Sequence, residues 1–250
     1  MADIDRMAIV TGTSSGIGAA TAELLVDGGW TVIGMSRRRA RIDSTAYRHV
    51  EADFADVGRL VEITSLEIAP VLSDTRWQRV GLVNNAADGG DAEFLDTLDP
   101  AVFQKMLAIN TVAPVWLMGF VARVAPAAAT LRIVNVSSGA AVRAFPGSAS
   151  YSASKAALRL AGMTLGAELA SPDRPGGPRH NAAVVSYAPG VVDTEMQLAM
   201  RSANKPWTKM FVDLHESGML APPEAPARDI VQMLESQNLE PFSERRLGDT

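Results

Sequence analysis

"MAIVTGTSSGIG", residues 7 to 18, joins a short apolar run to a turn with glycines at positions 12, 16 and 18. The run reads as a buried strand, and the residues from 16 to 28 have helical period. Glycines between the two let the chain turn tightly. They also let its backbone approach a pyrophosphate resting on the N–H groups and positive pole of the following helix. The spacing is GxxxGxG, not GxGxxG, and a plain strand-to-helix turn is the alternative. Its place directly after the first strand favours a nucleotide site.

The same rhythm continues along the chain. "TVIGMS" (31 to 36) precedes a helical segment at about 38 to 45, "RHVEAD" (48 to 53) one at 56 to 72, and "VGLVNNA" (80 to 86) one at 99 to 129. Then come "RIVNVSS" (132 to 138), a helix over about 150 to 170, "AAVVSYAPG" (182 to 190) and a helix near 225 to 236. Nearly continuous apolar strands alternating with helices predict an α/β fold, a doubly wound parallel sheet of about seven strands covered on both faces. With no internal repeat and no linker, residues 1 to 250 read as a single domain. "SPDRPGGPRH" (171 to 180) is a surface loop, and 193 to 222, helical and aromatic without an obvious strand, is where a substrate lid is expected.

Composition narrows the function. Hydrophobic residues make up 47% and charged residues 20%, as in a compact soluble domain. The chain has no cysteine, and His49, His180 and His215 are scattered, so neither a disulfide nor a metal centre is expected. A net charge of −5 disfavours nucleic acid. Arg123, Pro114 and Pro126 interrupt the most apolar stretch, 112 to 129, so no membrane span is expected. Acids near the N-terminus stand where a secretory signal would carry a basic region, and the expected location is cytoplasmic.

Two local patterns carry chemistry. The second strand ends in "GMSRRR" (34 to 39), with Ser36 where an NAD-preferring fold places an acid and with Arg37 and Arg38 following. Cations without an acid favour a 2′-phosphate and hence NADPH; an ordinary solvated arginine turn is the alternative. In "SASYSASKAAL" (148 to 158), Tyr151 and Lys155 lie four apart, on one face of a helix. A nearby ammonium stabilises a phenolate and moves a tyrosine toward acid–base work near neutral pH. A half-buried tyrosine with a surface lysine is the bland reading of the same spacing.

"TGTSSGIG", "NNAA" (84 to 87), Asn110, "VNVSS" (134 to 138), "YSASK" (151 to 155) and "PGVVDT" (189 to 194) together resemble the short-chain dehydrogenase/reductase family, in its order and spacing. The resemblance implies a Rossmann fold and hydride chemistry on a carbonyl. Tyr151 would protonate the carbonyl oxygen, Ser138 would hydrogen-bond it, Lys155 would bind the nicotinamide ribose and lower the tyrosine pKa, and Asn110 would hold a relay water. Ser137 would be structural. The cofactor would lie on Gly12, Ser14, Ser15, Gly16, Ile17 and Gly18, with Arg37 and Arg38 at its 2′-phosphate. Asp53 and Phe54 would flank the adenine, Asn85 and Ala86 the adenosine side, and Pro189, Gly190, Val192 and Thr194 the carboxamide. Ala87 replaces the usual glycine of NNAG, a small departure.

"VNVSSGAA", "YAPGVVDTEMQ" and "GML" (218 to 220) are similar in particular to bacterial benzil reductases and their sepiapterin-reductase-like kin. The expected activity is NADPH-dependent reduction of a ketone or 1,2-dicarbonyl. The expected pocket walls are Ala140, Phe145, Tyr187, Met196, Trp207 and Phe211. A 3-oxoacyl thioester reductase, an alcohol dehydrogenase or a non-catalytic dinucleotide sensor or scaffold are the alternatives. Small residues on the helices at 100 to 128 and 151 to 170, with the family's habits, imply a homodimer or homotetramer.

Overall fold

The computed structural model describes residues 5–90, 93–203, 205 and 208–249. The apolar runs form strands β1 (Arg6–Thr11), β2 (Thr31–Ser36), β3 (Tyr47–Glu51), β4 (Arg79–Asn84), β5 (Thr130–Val136), β6 (Ala182–Ala188) and β7 (Phe242–Arg246). Between them run helices α1 (Gly16–Asp27), α2 (Val57–Ile63), α3 (Ala69–Leu72), α4 (Pro100–Leu107), α5 (Ala113–Val124), α6 (Ala149–Ala170), α7 (Glu195–Ser202), α8 (Thr208–Glu216) and α9 (Glu224–Glu235). The sheet order is β3-β2-β1-β4-β5-β6-β7, and every neighbouring pair is parallel.

Alternation along the strands sorts the core into two layers. Met7 and Ile9 of β1 join Leu82, Ile133, Leu117 and Phe120 on the face covered by α2, α5 and α6. Ala8 and Val10 join Val83, Val134, Leu25, Trp30 and Leu234 on the face covered by α1 and α9. Both faces of the central strands are buried, which is why their sequences carry no polar alternation.

The helix expected at about 38 to 45 does not form; Arg39 to Ser44 run irregularly. Its sequence, "RARIDS", offers only Ala40 and Ile42 as apolar positions, too few for a packed helical face. In the other direction, β7 arises from "FSERR", where no strand was specifically placed. It is an edge strand paired with Val184 to Ala188, and Arg159 of α6 forms a two-pronged ion pair with its Glu244. Charge on an edge strand discourages further pairing, and the same charge hides it from a periodicity reading.

Helices α4 and α5 are joined by a π-helical turn, Ala108–Val112, that carries Asn110. The combined helix 100 to 124 is long and apolar enough to cross a membrane by length and composition. Here, however, Leu117, Met118, Phe120 and Val121 are buried against the sheet.

Three arginines are buried at the edge of the sheet where β4 and β5 begin: Arg79, Arg132 and Arg179. Each donates to backbone carbonyls. Arg79 Nη1 reaches Leu234 O at 2.8 Å, and Arg132 reaches Ser236 O at 3.1 Å and Gln237 O at 2.9 Å, at the end of α9. Arg179 reaches Ala122 O at 3.2 Å and Pro126 O at 2.7 Å, at the end of α5. Helix C-termini present unpaired carbonyls and a negative pole, so a cation there satisfies both. Burial lowers the pKa of Arg132 and of Arg179 to about 10.

Candidate active site

The strand order reverses between β1 and β4, and the glycine turn opens at that point, at the carboxyl end of β1. Gly12 has φ of +74° and Gly16 of +59°, both in the left-handed region. A Cβ on Gly18 would lie 2.3 Å from Gly12 O and 2.4 Å from Asn85 Nδ2, so no larger residue fits there. Helix α1 begins at Ser15 without a side-chain cap and with no acid in its first turn. Its positive pole and first amides, with half-buried Ser14 and Ser15 beside them, form a cradle suited to the pyrophosphate of a dinucleotide.

Neighbouring elements hold this turn in place. Asn85 Nδ2 donates to Thr11 O at 2.9 Å, and the amides of Asn85 and Ala86 both donate to Thr11 Oγ1 at 2.9 Å. Beneath the end of β2, Thr13 Oγ1 pairs with the Tyr47 hydroxyl at 3.0 Å and with Ser36 Oγ at 3.2 Å. Ser36 Oγ in turn donates to Arg38 O at 2.7 Å. Thr11, Thr13 and Tyr47 contribute through contacts that span 23 to 75 residues, and no local pattern announces them. Arg37 and Arg38 are exposed at this end. Asp53 is exposed and accepts from Ala55 N, whereas the Phe54 ring belongs to the apolar core and is withheld from the surface.

The chemical groups gather where β5 ends. Ser138 caps the single turn Gly139–Ala141, accepting from Ala140 N at 3.2 Å. Tyr151 stands in the first turn of α6, where its phenol takes Ser138 as a side-chain hydrogen-bond partner. One turn on, Lys155 is only 2% exposed and donates from Nζ to Val136 O at 2.9 Å, its ammonium 5.7 Å from the centroid of the Tyr151 ring. Burial pushes the Lys155 ammonium down to about 8. Burial also raises the Tyr151 phenol above its ordinary value, and the Ser138 hydrogen bond opposes that rise. The net effect of the protein on this phenol is therefore upward, opposite to the lowering expected from Lys155, whose ammonium is committed to Val136.

Asn110 is buried and fully engaged through its amide. Its Nδ2 donates to Asp88 O at 2.8 Å and to Ser154 Oγ at 3.1 Å, and its Oδ1 accepts from Asp88 N at 2.7 Å. Ser154 Oγ bonds Tyr151 O at 2.7 Å, so Asn110 ties the β4–α4 loop to the first turn of α6. A relay water would have to use the second lone pair of Oδ1 or the main chain. Ser137 is buried and donates its amide to Tyr187 O.

The segment after β6 lies over the glycine turn. Pro189 is buried, Gly190 has φ of +72°, and Val192 forms an isolated bridge with Ala221. Thr194 caps α7, and its Cγ2 lies 3.1 Å from where a Cβ on Gly16 would be. On α7, Met196 and Met200 pack against Gly89, the place at which a side chain would strike Met196 Cγ at 3.1 Å. Ala140 is buried beside Ser138, Phe211 is half-buried on α8, and Phe145 is exposed. Trp207 lies outside the described residues.

Tyr187, expected as a wall of the pocket, does not line it. It is fully buried, packs with Trp30 and Leu234 on the face of the sheet covered by α1 and α9, and donates its hydroxyl to Asp229 Oδ2 at 3.0 Å. Its neighbour Ser186 pairs in register with Asn135, and alternation turns Tyr187 to the face away from Tyr151.

The profile of the short chain dehydrogenase family matches residues 6–205. The benzil reductase ((S)-benzoin forming) of Bacillus cereus is 30% identical over 244 residues, covering 93% of this chain and 95% of that protein. Among solved structures, the YIR035C short chain dehydrogenase/reductase of Saccharomyces cerevisiae superposes with a TM-score of 0.81 at 24% identity, covering 98% and 96% of the two chains. A 4-hydroxyisoleucine dehydrogenase complexed with NADH gives a TM-score of 0.77 at 22% identity, with 97% of each chain covered.

Proposed function

The chain belongs to the short-chain dehydrogenase family of oxidoreductases, and from that membership we propose that it is a cytoplasmic NADPH-dependent carbonyl reductase acting on an apolar ketone or 1,2-dicarbonyl. The observation that carries the reading is the convergence of Ser138, Tyr151 and Lys155 at the end of β5. The first amides of α1, Ser14 and Ser15 would hold the pyrophosphate, Thr194 the carboxamide and Lys155 the ribose. When bound, the reduced nicotinamide supplies a hydride to the carbonyl carbon. The chain's own residues serve the oxygen: Ser138 and Tyr151 both donate to it, and Tyr151 gives up its phenolic proton as negative charge develops there. The resulting phenolate lies near the Lys155 ammonium.

Burial of the phenol favours its neutral, proton-bearing form, which suits the reductive direction. NADPH is supported by Ser36 in place of an acid and by Arg37, which has no ion pair among the described residues. The substrate class rests on the benzil reductase of Bacillus cereus and on Met196, Phe145 and Phe211 about the lid. Val112, Val115 and Leu160, exposed on α4–α5 and α6, support pairing of the chain with itself through those helices.

Loss of NADPH absorbance with purified protein and benzil, beside NADH, sepiapterin and a 3-oxoacyl thioester, tests the reading. NADPH-specific reduction of benzil is the expected result. Activity on the thioester alone would replace the substrate class, and no turnover with any substrate would leave a dinucleotide-binding protein.

A further inference from the structure

We propose that Glu195 is a specificity-determining residue that works against the 2′-phosphate of the cofactor by holding Arg38 in an ion pair across the dinucleotide groove. The inference rests on the NADPH reading above. Arg38 Nη2 and Glu195 Oε2 are 2.8 Å apart. Arg38 follows β2 and Glu195 opens α7 after β6, and three strands, β1, β4 and β5, lie between β2 and β6 in the sheet. The pair therefore bridges the carboxyl edge of the sheet. It passes the uncapped start of α1, because Thr194, next to Glu195, stands against Gly16.

The main chain of Arg38 has little freedom. Ser36 Oγ bonds Arg38 O, and Thr13, itself paired with the Tyr47 hydroxyl, braces Ser36. Only the guanidinium can exchange one partner for another. Its partners are a carboxylate, placed where the positive pole of α7 favours an acid, or an incoming phosphate at the end of β2. A 2′-phosphate must either draw Arg38 away from Glu195 or lie beside an acid with Arg37 alone as its counter-charge. A ribose 2′-hydroxyl bears neither cost, so the penalty falls on NADPH and spares NADH.

The pair is 67% and 63% exposed at its two side chains, so the effect is of the size usual for hydrated ion pairs. Glu195→Gln should tighten NADPH about two- to five-fold at low salt and leave NADH within about 1.5-fold, as read by nicotinamide fluorescence titration without substrate. The gain should shrink as salt rises and vanish when Arg38→Gln is already present. Equal tightening of both cofactors would overturn the proposal, because Glu195 would then act on the shared pyrophosphate. So would an unchanged NADPH affinity, or a gain that persists without Arg38. Arg37→Ala, measured alongside, separates the two readings: equal weakening of NADPH and NADH there would remove the 2′-phosphate site itself. Both Glu195 and Arg38 are exposed, so the variants should melt at the wild-type temperature.

Discussion

Lys155 donates to the carbonyl of Val136 at 2.9 Å, anchoring its buried ammonium to the end of β5 one helical turn from Tyr151. The position is costly for a charge, and burial brings the folded pKa down to about 8 from 10.5. Because the unfolded chain holds this proton more tightly, the cost is fully present below pH 8 and is relieved as pH rises toward 10.5.

Lys155→Met removes that dependence. Wild-type unfolding free energy should gain about 1–2 kcal/mol relative to the variant between pH 7.5 and 9.5, from this group alone. Urea denaturation of both proteins at the two pH values checks it. A constant difference between them would mean that the ammonium is not buried as described.

Tyr151→Phe keeps the ring and its packing but removes the proton donated to the substrate. Turnover should fall at least about 100-fold, with NADPH affinity within about two-fold. Steady-state assays together with fluorescence titration decide the matter, and wild-type turnover would refute the role.

Arg37→Ala removes an exposed cation that has no ion pair among the described residues. NADPH should bind about ten-fold more weakly and NADH nearly unchanged, the loss of one charge-assisted phosphate contact.

Arg179→Met should destabilise the protein by about 2–4 kcal/mol in urea melts at neutral pH. It leaves the carbonyl of Ala122 without its donor and takes one of two donors from those of Pro126 and Ala129, which keep the Ala129 amide and Asn181 Nδ2. Arg179→Lys should recover only part of the loss, since one ammonium cannot reproduce the planar fork that spans these carbonyls.

The order of strands and helices was legible because parallel strands buried on both faces are written as unbroken apolar runs, as in "MAIVT" and "GLVN". Ser138, Tyr151 and Lys155 could be read from spacing, since one helical turn and one strand end suffice to bring them together. Tyr187 was misplaced for the same reason that β6 was easy to find. A run buried on both faces gives no hint of which residue points which way. Thr11, Thr13, Tyr47 and Ser154 act through hydroxyl contacts that only the folded chain creates. Nothing local in the sequence marks the arginines 79, 132 and 179 for burial, because the helix ends that receive them arrive from elsewhere in the chain.

Those three arginines give the molecule two unlike edges. At one, the negative poles of α5 and α9 are plugged by side chains of the protein itself, so nothing charged from outside is required there. At the other, the positive pole of α1 is left open and waits for a visitor. Exchange of residues at the open edge can retune what is bound without weakening the frame. Exchange at the plugged edge can only loosen it, and a search for altered specificity should leave that edge alone.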